Sequence, residues 1–381
     1  MRLAPPASGD PRDVLRALRA AVLGAGPAVA LGGADLPDEV PAGTAAVVTT
    51  SGSTGVPKSV VISRNALISS AYATAARIGE GAWLLAVPAT YVAGVQVMVR
   101  ALLADREPAV VAGPFRPEPF AAAALGMASH IDGARVPTYT SLVPAQLQRL
   151  LDAAEGDGTV AQALRSFEAI LIGGQALAPA VRERAASAGV RIVRTYGSSE
   201  TSGGCVYDGI PLDGVGVRLV DGEVQLSGPT LAEGYLGEPA RTASVFSVDA
   251  DGTRWYRTGD GGELTDGVLS VTGRLDNVIV SGGVNVSLDR VEAAVRGIPG
   301  LEAAVVVPIP DAAWGQGSAV VVPGMAAVEE ADVLARVRVV VAEAVGAPAR
   351  PARVVGVTEL PTLSSGKPDR AALRARVARL G

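Results

Sequence analysis

The sequence predicts an α/β protein: a large multi-subdomain N-terminal part with mostly parallel sheets and a small β-subdomain, then a small α+β C-terminal part. Three observations carry this. Short apolar runs rich in Val, Ile and Ala (45–50, 60–62, 169–172, 190–195) alternate with helix-length stretches that open on cap or proline signals. Between Pro211 and Thr272 glycine rises and short alternating strands replace helices. After Gly273 the composition changes again, and we expect one unit over 1–275 and a second over 276–381.

Taken in order, Ala45–Thr50 reads as a strand, 51–58 as a Ser/Thr/Gly loop, and Val60–Ile62 as a second strand. Ser63 is placed to cap a helix running from Arg64 to about Ile78, because its hydroxyl can accept a free N–H of the first turn. The apolar stretch Leu84–Ala104 is broken by Pro88, Tyr91, Gly94 and Arg100, so it reads as a core strand and helix, too interrupted to span a bilayer. Ala169–Ile172 is a buried strand ending in Gly173-Gly174, and a helix from Pro179, stopped by Gly189, leads to a strand over 190–195. Ligands of such sheets gather beyond the carboxyl ends of the strands, where Gly173-Gly174 and Tyr196-Gly197 stand. In the C-terminal part, strands near 303–307, 318–322 and 353–357 surround helices at about 288–296 and 329–345.

Composition narrows the chemistry. A net charge of -5 argues against a general nucleic-acid binder. One cysteine, Cys205, rules out an internal disulfide, and the single histidine, His130, argues against a His/Cys metal site or a Ser-His-Asp triad. The start, MRLAPPASGDPRD, lacks an apolar signal-peptide core, so the expected compartment is the cytoplasm, with no integral membrane association.

Of 33 basic residues only two are lysines, Lys58 and Lys367, and both sit in glycine-containing loops, TSGSTGVPKSV and LPTLSSGKPDR. A lysine is a compact point charge that a tight anionic site can require where a planar guanidinium does not fit. The first loop is not a Walker A motif, because Pro57 replaces the glycine before the lysine and a strand follows where a helix must. Its Thr50, Ser51, Ser53 and Thr54 hydroxyls, with N–H groups opened by glycine, can wrap a triphosphate; a bare surface turn is the alternative. In TYGSSET (195–201) Glu200 is suited to Mg²⁺ and Ser199 to a phosphate oxygen, although Ser-Ser-Glu is also a common helix cap. In YRTGD (256–260) Asp260 can accept both hydroxyls of a ribose or simply make an Asx turn. Arg274 could bind ribose or phosphate, and Asp276 lies where a linker would swivel.

Each segment is weak alone. Together, in order and spacing, they resemble the acyl-adenylate-forming superfamily of acyl-CoA ligases, luciferases and nonribosomal peptide adenylation domains, over about residues 45–375. Within it, SLVPAQLQRLL (141–151), VSGGVNVSLDRVE (280–292) and the short length look most like the o-succinylbenzoate-CoA ligases of menaquinone synthesis. The resemblance implies an N-terminal adenylation domain and a mobile C-terminal domain hinged at Asp276, with ATP, Mg²⁺ and CoA as cofactor and co-substrates of a small-molecule carboxylate.

By motif it assigns Thr50, Ser51, Ser53, Thr54 and Lys58 to the ATP phosphates. Gly174, Gln175, Ala176 and Leu177 with Tyr196 and Gly197 would flank adenine, Ser199 and Glu200 would take phosphate and Mg²⁺, and Asp260 and Arg274 the ribose. Lys367 would be the catalytic lysine of adenylation, and Ser281, Gly282 and Gly283 would face the pantetheine tunnel. Tyr91 stands where many acyl-CoA ligases have histidine, and Ser59 where glycine is usual after the loop lysine. Thr140, Ser141, Ser202 and the Gly204 N–H are the candidate donors for the acid's second carboxylate. A homodimer is admitted but not required. Two other readings stay open: an adenylation enzyme that loads a carrier protein, and a non-catalytic nucleotide-binding regulatory module.

Overall fold

The structure, a computed structural model, describes residues 1–381 except 34–35, 51–56, 112, 128–129, 132, 312–313, 364–366 and 381. Its architecture is α/β, with a larger N-terminal part and a smaller C-terminal one. The first sheet runs Leu3–Ala4, Ala28–Leu31, Thr44–Thr50, Lys58–Ser63 and Gly234–Tyr235. It begins parallel and turns antiparallel at the hairpin between Thr44–Thr50 and Lys58–Ser63. The second sheet has the order Ile210–Pro211, Gly203–Tyr207, Ile192–Ser198, Ala169–Ile172, Thr138–Leu142, Ala82–Leu85, Ala109–Val110. From Ile192–Ser198 onward it is parallel, as expected of strands alternating with helices.

Helices Arg64–Ile78 and Val92–Leu103 contribute to one core that joins the two sheets, with Leu67 and Val97 buried among Val29, Val48, Leu85 and Leu171. Ser63 caps the first of these helices through its side chain, accepting from the Ala66 N–H. The second starts tightly over its own entry loop. A Cβ at Gly94 would lie 2.2 Å from the Pro88 carbonyl oxygen, which is why glycine stands there.

The β-subdomain is an antiparallel sheet of Gly216–Val220, Glu223–Ser227, Arg254–Thr265 and Phe246–Val248, with Val268–Arg274 paired to the long strand. The C-terminal part holds Val278–Ser281, Val284–Ser287, Gly315–Pro323, Val305–Asp311 and Arg353–Val357, packed against helices Leu288–Arg296, Glu330–Ala344 and Arg370–Arg379. Two sequence expectations shift. The strand expected over 190–195 runs Ile192–Ser198, because the Val190 N–H is spent closing the preceding helix on the Ala185 carbonyl while Gly203–Tyr207 pairs with the later residues. The helix Arg370–Arg379, capped by Asp369, had no counterpart in the sequence reading.

That last helix is tied down by a buried ionic centre. Glu292, 6% exposed, accepts two hydrogen bonds from Arg370 (2.9 and 2.8 Å), pairs with Arg296 at 2.8 Å, and accepts from the Val306 N–H at 2.9 Å. Removing Glu292 strands Arg296, 11% exposed, while Arg370 at 37% keeps access to water, at a cost of about 1–3 kcal/mol. Glu292→Ala should therefore lower the urea midpoint of the C-terminal part, read by Trp314 fluorescence with the other tryptophans replaced; a loss below about 1 kcal/mol would show that water reaches the arginines.

Candidate active site

The hairpin that carries the first loop puts Thr50 directly across from Lys58. Ser59 faces Thr49, and their hydroxyls lie 2.8 Å apart, so the residue replacing the customary glycine serves the hairpin itself. Among the described residues the buried Thr50 hydroxyl has no hydrogen-bond partner. Ser51, Ser53 and Thr54 lie outside the described residues.

Tyr235 pairs with Val60, two residues from Lys58, so the two side chains share a face of the sheet. There they meet Glu200, carried by the 3-10 turn Ser199–Thr201. Thr201 shapes that turn by accepting from the Ser198 N–H at 2.8 Å and donating to the Gly203 carbonyl at 2.7 Å. Glu200 is only 2% exposed; it is ion-paired with Lys58 and accepts from the Tyr235 hydroxyl at 2.8 Å. Burial alone would push the Glu200 carboxyl up, but the Lys58 charge and the two hydrogen bonds hold it below the usual value. Burial beside that carboxylate drives the Tyr235 phenol well upward, so it stays a neutral donor.

A second carboxylate stands on the long β-subdomain strand. Asp260 accepts from the Tyr196 hydroxyl at 2.6 Å and from Arg274 at 3.2 Å, Arg274 being its partner across the strand pair. Arg274 also donates to the Thr258 carbonyl at 2.7 Å and grips Asp276 with two bonds of 3.0 Å. Asp289 joins this group from the helix Leu288–Arg296, accepting from the Arg274 N–H (2.7 Å) and from Asn277 (2.8 Å). A cleft of about 670 Å³ walled by Glu223, Gln225, Arg257, Arg274 and Asp276 opens beside them. Asp260 is not among its walls, so the cleft belongs to the linker side of Arg274.

Lys367 reaches this site from the C-terminal part. Its Cε lies 3.6 Å from where a Cβ on Gly174 would stand, and Gly174 has φ +83°, a conformation that favours glycine. Burial lowers the Lys367 pKa, opposed by the negative charges of Asp260 and Glu200 and reinforced by Lys58. Both lysines and both carboxylates thus act on one another in one place.

Of the other sequence candidates, Gln175, Ala176 and Leu177 follow Gly174 in the loop after Ala169–Ile172. Gly197 sits at a bulge against Gly203-Gly204, where a Cβ would come within 2.1 Å of the Gly203 carbonyl. Ser199 is buried beside Glu200 on the same turn. Tyr91 is the N-cap residue of the helix Val92–Leu103. Thr140 is fully buried and its hydroxyl is committed to the Leu84 carbonyl at 2.9 Å, whereas the Ser202 hydroxyl is buried with no partner. Ser141 is buried on the same strand as Thr140, and Gly204 packs on Thr195. Ser281, Gly282 and Gly283 form the turn of the hairpin Val278–Ser281/Val284–Ser287, with the Trp314 ring against Gly282; none of the hydrogen bonds around Lys58, Glu200 or Asp260 reaches them among the described residues. Tyr235 and Asp289 went unnoticed in the sequence. The signals were there, a Gly-Tyr just before the helix-opening Pro239 and a Ser-Leu-Asp helix start, but neither names its partner.

Asp260 supplies a test of the electrostatics. Burial raises its pKa above the ordinary carboxylate value, and the Tyr196 and Arg274 donors only partly offset this. The folded chain therefore binds this proton more tightly than the unfolded one, and stability falls as pH rises through the interval between the two values. Tyr196→Phe removes a donor to the charged form, so a carbon-13 titration should place its Asp260 midpoint higher still; an unchanged midpoint would mean that the hydrogen bond does not favour the ionised acid.

Comparison with known proteins agrees with this geometry. The family model described as AMP-binding enzyme matches residues 10–265, and the AMP-binding enzyme C-terminal domain matches 290–367. A probable 2-succinylbenzoate–CoA ligase of Mycobacterium tuberculosis is 39% identical over 362 residues, covering 91% of this chain and 88% of that protein. The 2-succinylbenzoate–CoA ligase of Escherichia coli is 33% identical over 277 residues, 70% of this chain and 55% of that one. Among solved structures, a variant of E. coli MenE with bound OSB-AMS superposes with a TM-score of 0.70 at 28% identity, covering 92% of this chain and 72% of that one. ATP-bound MatB of Rhodopseudomonas palustris shares the fold, with a TM-score of 0.73 at 23% identity over 91% and 71% of the two chains. The chain is a member of the AMP-binding enzyme family, the acyl-adenylate-forming superfamily that its loops resemble.

Proposed function

We propose that this protein is an AMP-forming acid–thiol ligase that activates 2-succinylbenzoate and transfers it to CoA, a step of menaquinone biosynthesis. The observation that carries the chemistry is the convergence of Lys367, from the C-terminal part, with Lys58, Glu200 and Asp260 of the N-terminal part. The named activity of relatives such as the M. tuberculosis protein carries the choice of acid.

In the first half-reaction a substrate carboxylate oxygen attacks the α-phosphorus of ATP, the bond to the bridging oxygen breaks, and acyl-AMP and pyrophosphate result. Two anions must approach each other. Lys367 stands beside Gly174 within the fields of Lys58, Glu200 and Asp260, so its ammonium can bridge carboxylate and α-phosphate, while Lys58 screens the departing pyrophosphate. Asp260, held by Tyr196 and Arg274, accepts the ribose hydroxyls. Gly174 and its neighbours with Tyr196 form the adenine wall, and the unpartnered Thr50 hydroxyl with the rest of its loop takes phosphate. Glu200 fits a magnesium ion of the kind held by one protein carboxylate and substrate phosphates: it is buried and ionised, and no cluster of three or more potential metal ligands occurs among the described residues. Such an ion would neutralise phosphate charge, while Tyr235 keeps the carboxylate oriented once Lys58 turns to the nucleotide. In the second half-reaction the CoA thiol sulfur attacks the acyl carbon and AMP leaves, after the C-terminal part turns about Asp276 and brings Ser281, Gly282 and Gly283 to the thiol path.

Incubation with 2-succinylbenzoate, ATP and CoA should give thioester and AMP in equal amounts, and 2-succinylbenzoate should outcompete ferulate, the acid named for a 31% identical synthase of Amycolatopsis. Preference for ferulate would replace the acid but keep the chemistry. Lys367→Ala should lose about 3 kcal/mol or more of adenylation, the scale of a preorganised charge contact, yet still convert supplied acyl-AMP to thioester; equal loss in both half-reactions would overturn the assignment. For the acid's second carboxylate, the engaged Thr140 hydroxyl is a poor donor and the free Ser202 hydroxyl a good one. Ser202→Ala should therefore weaken 2-succinylbenzoate binding by about 1–2 kcal/mol and leave benzoate untouched; equal effects on both acids would remove Ser202 from the subsite.

A further inference from the structure

Among the described residues, a charge buried in the core has no countercharge. Arg100, on the helix Val92–Leu103, is 7% exposed. Its guanidinium carbon lies 5.0 Å from the centroid of the Trp83 ring, and one terminal nitrogen donates to the Tyr207 hydroxyl at 3.3 Å. That hydroxyl is shared with Thr74 at 2.9 Å. The Arg100 Nε is buried with no hydrogen-bond partner, and no carboxylate among the described residues forms an ion pair with the side chain.

A guanidinium keeps its proton at any pH a cell offers, so this group cannot escape the cost of burial by becoming neutral. Burial pulls its pKa down, and only the Tyr207 oxygen pushes back. An aromatic face and one hydroxyl compensate in part. Buried charges are as a rule paired, and what is missing here is a negative partner.

There is a place for one. A small cleft with room of about 20 Å³ opens onto Arg100 between the helices Arg64–Ile78 and Val92–Leu103, with Trp83, Thr74, Ala75, Gly79 and Leu103 in its walls. A single water needs about 10–15 Å³ measured the same way, so the cleft takes one occupant of water's size. Sulfate, phosphate and metabolite carboxylates are too large; a halide ion is not. Glu80 also borders the cleft, but it is exposed and unpaired with Arg100, and its charge works against an anion.

We propose that this cleft binds a small monovalent anion of chloride's size against the Arg100 guanidinium, and that the bound ion stabilises the folded chain. Arg100 lies in the last turn of the helix Val92–Leu103, at the opposite end from its N-cap Tyr91, so the ion would act on stability and not on the chemistry of acyl transfer.

The melting temperature of the full chain, titrated with sodium chloride and with sodium gluconate at matched ionic strength, reads this directly. Chloride should add a saturating rise of about 2–4 °C over gluconate, and bromide should reproduce it. Glu80→Gln should keep or enlarge the increment, and Arg100→Gln should abolish it. Should Arg100→Gln fail to fold, crystals of the unaltered protein grown in bromide decide the matter: an anomalous peak within hydrogen-bond reach of the guanidinium supports the site. Identical curves in chloride and gluconate, or a cleft holding only water in bromide, would overturn it. So would a chloride increment that vanishes in Glu80→Gln while persisting in Arg100→Gln.

Discussion

The Glu200 carboxylate is the point on which the N-terminal part turns. At 2% exposure it can remain ionised only where a cation and donors already stand, because an unpaired buried carboxylate costs several kcal/mol and an adequately paired one about breaks even. Its partners arrive from two other places: Lys58 from the strand after the phosphate loop, and Tyr235 from the short strand that completes the first sheet. Three segments far apart in sequence must dock before this charge is comfortable. The Ala232 N–H bonded to the Glu200 carbonyl at 2.8 Å fixes the same junction through the backbone.

The same requirement explains why the chain keeps two lysines where arginine is otherwise its basic residue. Lys58 reaches Glu200 and comes within 3.4 Å of the Tyr235 hydroxyl, so a single nitrogen serves a carboxylate and a phenol at once. A guanidinium would spread its charge over a plane and displace Tyr235. Lys367 is drawn toward Asp260 and Glu200 but repelled by Lys58 and penalised by burial. A polyphosphate received there would relieve the repulsion between the two ammonium groups.

What the sequence made legible was local. The Ser63 cap and the strand after Pro57 that excludes a Walker A helix lie within motifs whose own residues carry the reason, whereas the Asp260–Arg274 pair joins two motifs and shows only in the structure. What it hid depends on which faces meet. Tyr235 lies 35 residues from Glu200 and Asp289 15 from Arg274, and periodicity tells which side of an element is buried without telling against what. The end of the strand Ile192–Ser198 moved for the same reason: its last residues are strand only because a later segment pairs with them. Arg100 shows the converse. In the sequence it is one interruption in an apolar run; only the packing shows that no carboxylate answers it.

The linker argument follows from how Arg274 divides its bonds. Toward Asp260 and the Thr258 carbonyl it is partly buried, and those contacts lie wholly within the N-terminal part. Toward Asp276 it makes a bidentate pair with a carboxylate 54% exposed, and exposed pairs contribute about 0–1 kcal/mol. Asp289 adds one hydrogen bond across the junction at the Arg274 N–H, worth about 1.5–3 kcal/mol as a bond to a charged group. The proposed rotation of the C-terminal part about Asp276 would strain the second, break the third and spare the first. The resisting terms local to the linker then amount to about 1.5–4 kcal/mol, within what exchanging ATP for acyl-AMP can supply through unequal contacts with Lys367. A linker stiffened by buried pairs on both sides would hold one arrangement whatever was bound; this one is firm where the ribose is proposed to sit and loose one residue beyond.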